Sequence, residues 1–109
     1  MKPLDAPVWV RSHDLVRWIL ERVASWEPAA REVVGNAQAA EARGLVLSVS
    51  LALTFIRERA RHVRDADIAI VRVRELLRLA KDLGCLPASS HRFAQGELLE
   101  IGRMVGGWR

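Results

Sequence analysis

Residues 76–109 constrain the fold of this chain most. They read LLRLAKDLGCLPASSHRFAQGELLEIGRMVGGWR: two helical segments around a Gly84-Cys85-Leu86-Pro87 turn, closing on a glycine pair and Trp108. Gly84 suits the left-handed position that ends a helix, and Pro87 stops its continuation. After the turn, Ala94, Leu98, Ile101, Val105 and Trp108 recur at helical spacing, so a second helix runs from Ser89 or Ser90 to about Val105. Nothing in the segment is a catalytic pattern; it specifies a scaffold.

The same periodicity runs upstream. Helix 1 is expected from Ser12, an N-cap with Asp14 in the first turn, and Leu15, Trp18, Ile19, Val23 and Trp26 face the core. Pro3 and Pro7 predict that residues 1–11 form an irregular lead-in to a domain spanning 12–109. Helix 2 is expected from Pro28 or Asn36 to about His62, with Gly35-Asn36 a possible break. Its expected inner stripe is Ala37, Ala40, Gly44, Leu47, Leu51 and Phe55, the small residues allowing close helix approach. Residues 45–53 also alternate as a strand would, but no partner strand exists in the sequence. Helix 3 is expected from an Asp65 N-cap to Leu83, with Ala69, Val73, Leu76, Ala80 and Leu83 inward. These elements predict an all-α fold, an antiparallel up-down four-helix bundle.

Half the 109 residues are hydrophobic and tyrosine is absent, which agrees with helix throughout. The most apolar stretch, residues 44–56, falls short of the roughly 20 residues that span a bilayer, so a buried helix and no membrane partner are expected. Cys85 is the single cysteine, which excludes an intrachain disulfide and favours a cytoplasmic setting. The opening residues do not read as a secretory signal.

Charge is distributed unevenly. Residues 57–81 hold eight basic groups against four acids, whereas the rest of the chain holds nine of each, so the whole net charge of +4 sits in one segment. Fifteen of the seventeen cations are arginine, the side chain suited to bidentate phosphate contacts. Arg57, Arg61 and Arg64 share i, i+4, i+7 spacing at the expected end of helix 2; Arg74, Arg78 and Lys81 repeat it on helix 3. Such stripes neutralise phosphates without reading sequence. The alternative is a solvated face in which Glu75 pairs with Arg72 or Arg78 and Glu58 with Arg61. An acidic protein would use the same arginines.

The remaining chemistry is sparse. His13, His62 and His91 have no metal-ligand spacing, and Ser48 and Ser50 have no neighbouring histidine. No glycine loop precedes a helix to cradle phosphate. The expectation is a non-enzymatic protein without cofactor or metal. Arg103 either pairs with Glu100 one turn back or lines an oligomer surface. Trp108 is either a partner-docking tail or a structural latch. Trp9, Trp18 and Trp26 are core or subunit-interface residues, with base stacking by Trp9 the lesser option.

The combination Arg74-x-x-Leu77-Arg78-Leu79-Ala80-Lys81 with Glu100-Ile101-Gly102-Arg103-Met104-x-Gly106-Gly107-Trp108 resembles the Avd-like four-helix bundle proteins. The helix 1 stretch Trp18-Ile19-Leu20-Glu21-Arg22-Val23 also fits. These are the accessory variability determinants of diversity-generating retroelements, distantly related to proteins encoded in intervening sequences of 23S ribosomal RNA genes. The resemblance implies a pentameric assembly with a basic surface that binds the element's reverse transcriptase and RNA or cDNA, supporting mutagenic reverse transcription. Two other readings remain: an oligomeric helical adaptor for an acidic protein, and a ribosomal-RNA-associated bundle.

Overall fold

A computed structural model describes residues 6–108. Four helices account for nearly all of them, with no strand among the described residues: α1 (Pro7–Ala24), α2 (Pro28–Thr54), α3 (Ile56–Asp82) and α4 (Ala88–Gly106). At about 1.5 Å per residue α2 is about 40 Å long and accounts for the 42 Å long axis of the molecule. Each helix packs on two others: α2 on α1 and α3, α4 on α3 and α1. One core runs through their centre, built on Leu15, Ile19, Leu45, Val73, Leu77 and Ile101.

Helix 1 starts earlier than expected. Pro7 occupies the first turn, where its missing N–H costs no hydrogen bond and its fixed φ favours the helix. Ser12 is therefore not a cap: it is buried, and its Oγ donates to the Val8 carbonyl at 2.7 Å. Residues 1–5 of the expected irregular lead-in lie outside the described residues. Leu15, Ile19 and Val23 are buried as the spacing requires, and Trp18 and Trp26 pack half-buried against the core.

Helix 2 departs further from expectation. It begins at Pro28 and passes Gly35 without breaking, through a five-residue π-helical segment, Arg31–Gly35. Gly35 gives room there: a Cβ would lie 3.1 Å from Val23 Cγ1 and 3.2 Å from Trp26 Cε3, so those side chains would have to shift by a few tenths of an ångström to admit one. The buried side is Val34, Gln38, Ala42, Leu45, Val49 and Ala52. The stripe expected inside, Ala37 to Phe55, points the other way, with Leu47 60% and Phe55 51% exposed. Both faces of α2 are apolar, so periodicity carries no sign that tells in from out.

The α2–α3 junction is also displaced. Helix 2 ends at Thr54, eight residues before the expected His62. Phe55 is extended (φ −108°, ψ 81°), and a 3₁₀ turn, Ile56–Glu58, leads straight into the regular part of α3, Arg59–Asp82. The chain axis turns by 120° there. Neither glycine nor proline marks the break. Arg59 Nε donates instead to the Ala52 carbonyl at 3.0 Å, satisfying an end of α2 that has no helical partner. Asp65 consequently lies inside α3, exposed, and caps nothing. Of the expected inward face, Ala69, Val73 and Ala80 are buried, whereas Leu83 is 59% exposed.

The C-terminal third follows the sequence reading closely. Gly84 has φ +81°, its N–H bonds the Lys81 carbonyl at 3.0 Å, and the Cys85 N–H bonds the Ala80 carbonyl at 2.8 Å. Ala94, Leu98, Ile101 and Val105 form the buried face of α4.

Candidate nucleic-acid interface

The displaced junction puts all six candidate cations on one helix. Arg57 sits in the first turn of α3, Arg61 and Arg64 follow, and Arg74, Arg78 and Lys81 occupy its last third. The five arginines are exposed and Lys81 is half-buried. At 3.6 residues per turn the second triad lies roughly 100° around α3 from Arg61 and Arg64, and about 25 Å separates Arg61 from Arg78 along the axis. The two triads therefore face different directions, the second toward α4.

Pairing within the helix does not neutralise them. Arg72 reaches Glu41 on α2 at 3.7 Å, and Glu58 faces His62 at 3.6 Å. Lys81 approaches only its neighbour Asp82 among the described residues, at 3.9 Å. Among the described residues, Arg57, Arg61, Arg64, Arg74 and Arg78 have no acid within ion-pair distance, whereas Arg11, Arg17 and Arg103 each have one (Glu97, Glu21 and Glu100). An exposed arginine without a carboxylate keeps its charge and its donor fork free for an anion.

Two α4 residues that the sequence reading did not assign to binding, His91 and Gln95, join the second triad. Gln95 Nε2 donates to the Arg74 carbonyl at 3.3 Å and lies 3.0 Å from His91 Nε2. Together with Arg74, Glu75 and Arg78 they line a recess of about 170 Å³. Partial burial, then the nearby charges of Lys81 and Arg78, hold the His91 imidazole below its ordinary range, with Asp82 acting in the opposite sense and Arg92 adding slightly. His91 and Gln95 are i, i+4 on α4, a spacing whose meaning depends on which helix α4 faces.

Arg103 and Trp108 both act within the chain. Arg103 grips Glu100 through Nε and Nη2, the Nε contact being 3.0 Å. This hydrogen bond is the main reason the Glu100 carboxyl is held below its ordinary range and the Arg103 guanidinium above its own. Trp108 packs half-buried against the core, and the Arg59 guanidinium lies 5.5 Å from its ring centre. Since Arg59 also caps α2, this contact brings the end of α4 against the α2–α3 junction. Trp9 is occupied as well: its Nε1 donates to Ser50 Oγ at 2.8 Å, and its ring stacks on His13.

Ser50 Oγ in turn donates to the Val46 carbonyl, so it is committed to structure. Among the described residues no group of three His, Cys, Asp or Glu is placed to hold a metal ion. No single helix among them is long and apolar enough to cross a membrane. No family model, curated protein or solved structure matches the chain.

Proposed function

We propose that this protein is a non-enzymatic accessory protein of a diversity-generating retroelement, an antiparallel up-down four-helix bundle acting in the cytoplasm. In this reading it binds the element's reverse transcriptase and its RNA or cDNA through the arginine-rich surface of α3. The observation that carries the reading is the set of five exposed arginines on one helix with no carboxylate partner among the described residues. Arg57, Arg61 and Arg64, on the outer side of α3, are the contacts assigned to nucleic acid. Binding there is electrostatic, since no helix presents a base-reading pattern.

Self-association, as a pentamer on the family resemblance, is part of the same reading. Its support is the outer face of α2. Val33, Ala37, Ala40, Gly44, Leu47 and Leu51 repeat at four- and three-residue steps on the side away from the buried face, with Val33 72% and Leu47 60% exposed. A seam spaced in this way fits another helix, and its small central residues permit close approach.

The test is anisotropy of a labelled single-stranded RNA across a salt series. Each phosphate neutralised contributes about 0.7 to the log–log salt slope of a single strand. Replacing both Arg61 and Arg64 by Ala is expected to flatten the slope by about 1.4 per engaged protomer. RNA binding absent at low salt, with a cognate polymerase also unbound, rejects the reading. Polymerase binding without RNA affinity supports the adaptor alternative.

A further inference from the structure

Beside the His91 recess, the α3–α4 seam opens into a groove of about 460 Å³. Ile70, Leu98, Leu99 and Gly102 line it, with Arg74 and Arg103 at its sides. Leu99 is 78% exposed, more than any other large apolar side chain among the described residues. Gly102 leaves the seam open: a Cβ there would touch Ile70 Cδ1 at 3.8 Å, and nothing lies within 4 Å of a Cβ at Gly96. From Gln95 to Arg103 the α4 wall rises about 12 Å, or about two helical turns.

Charge surrounds this apolar strip. Arg74 and Arg78 stand on the α3 side without carboxylate partners among the described residues, and Arg92 is exposed on α4 one and two turns before Gly96 and Leu99. Arg103 is balanced by Glu100, and Glu75 borders the recess beyond Arg74. The net charge at the rim is thus cationic, with Arg74, Arg78 and Arg92 outnumbering Glu75, while the floor is aliphatic.

We propose that the α3–α4 groove is a docking site for an acidic amphipathic helix of a protein partner, its apolar side chains packed around the exposed Leu99 and its carboxylates on Arg74 and Arg78. Charge complementarity selects the acidic partner, and the aliphatic floor selects one with apolar anchors. A nucleic-acid strand fits less well, because the groove lining has no aromatic ring on which a base would stack. The proposal rests on α3 as a partner-binding surface and deepens that reading: the groove side takes protein, the Arg57–Arg61–Arg64 side takes phosphate.

The experiment uses a labelled 16-residue helical peptide with leucines at i, i+3, i+4 and i+7 spacing and glutamates elsewhere. A companion peptide of equal charge carries glutamines in place of the leucines. Saturable binding of the first is expected, weakened about tenfold by Leu99→Gln, the effect of leaving one leucine contact unmade, and by more than that with the companion, which lacks all four leucines. Arg74→Ala also weakens it, while Arg61→Ala with Arg64→Ala leaves it unchanged. Leu99 is exposed, so Leu99→Gln keeps the fold, which circular dichroism checks. Equal affinity for the two peptides, an unaffected Leu99→Gln protein, or no peptide binding at low salt overturns the proposal. A labelled oligouridylate measured on the same proteins separates the two readings. If it binds normally while the peptide fails, only the groove assignment falls. If Leu99→Gln abolishes oligouridylate binding, the occupant is nucleic acid and the groove assignment also falls.

Discussion

Replacing Gln38 by methionine should stabilise this protein, against the usual direction for a change at a fully buried position. Gln38 has no solvent exposure, and neither its Nε2 nor its Oε1 has a hydrogen-bond partner. Burying an amide without partners costs about 1–3 kcal/mol by protein mutational data. Methionine keeps the length and flexibility of the side chain and removes both orphaned groups. The expected gain is therefore about 1–3 kcal/mol, whereas typical substitutions lose about 1. Each kcal/mol moves the melting midpoint of a domain this size by roughly 4 °C or more. Urea and thermal unfolding at one fixed protein concentration read it, since self-association would otherwise shift the midpoint. Gln38→Glu is the control and should destabilise strongly, because it places a carboxylate in the same apolar surroundings. A midpoint unchanged or lowered in Gln38→Met, with the helical spectrum intact, would refute the reasoning and show that the amide is satisfied in the folded protein.

Other outcomes follow from the same geometry. Leu47→Glu with Leu51→Glu should reduce the light-scattering mass to that of a smaller species while leaving helicity unchanged; unfolding instead would place this face in the core. Gly84→Ala should cost about 1 kcal/mol in chemical denaturation, a conformational penalty alone, because φ is +81° and nothing lies within 4 Å of the added Cβ. His91 titrates below its ordinary value of 6.5 in the folded protein, so the unfolded chain takes up that proton first. The His91 contribution is thus fully present above 6.5 and is lost as pH falls from there through the lowered folded value. His91→Gln should flatten stability over that window, and an unchanged pH profile would contradict the partial burial of the ring and the placement of Lys81 and Arg78 around it.

How much of this was legible in the sequence varied by element, for identifiable reasons. Helix 4 was readable because its apolar residues contrast with Arg92, Gln95, Glu97 and Arg103 around it. The end of α3 was readable because Gly84 and Pro87 each have one plain backbone role. The end of α2 was not, since Phe55 breaks the helix with an ordinary residue and the side chain of Arg59, seven positions beyond Ala52, provides the cap on the Ala52 carbonyl. The cationic candidates were visible as residue types. Their grouping on one helix depended on that misplaced junction, and the partner of Arg72 turned out to be Glu41, thirty-one positions away in sequence, and not the nearby Glu75.

The sequence by itself determined that the chain is helical, that a left-handed glycine turn precedes the last helix, and that its excess positive charge is arginine concentrated between residues 57 and 81. Local periodicity, backbone preference and charge are properties of short stretches, so they survive without knowledge of neighbours. Only the tertiary structure decided which apolar face of α2 is buried, which arginines stay unpaired, and that His91, Gln95 and Leu99 meet the second triad across the α3–α4 seam. Those outcomes depend on which helices lie side by side, and a pattern that is apolar or charged on several faces leaves that choice to packing.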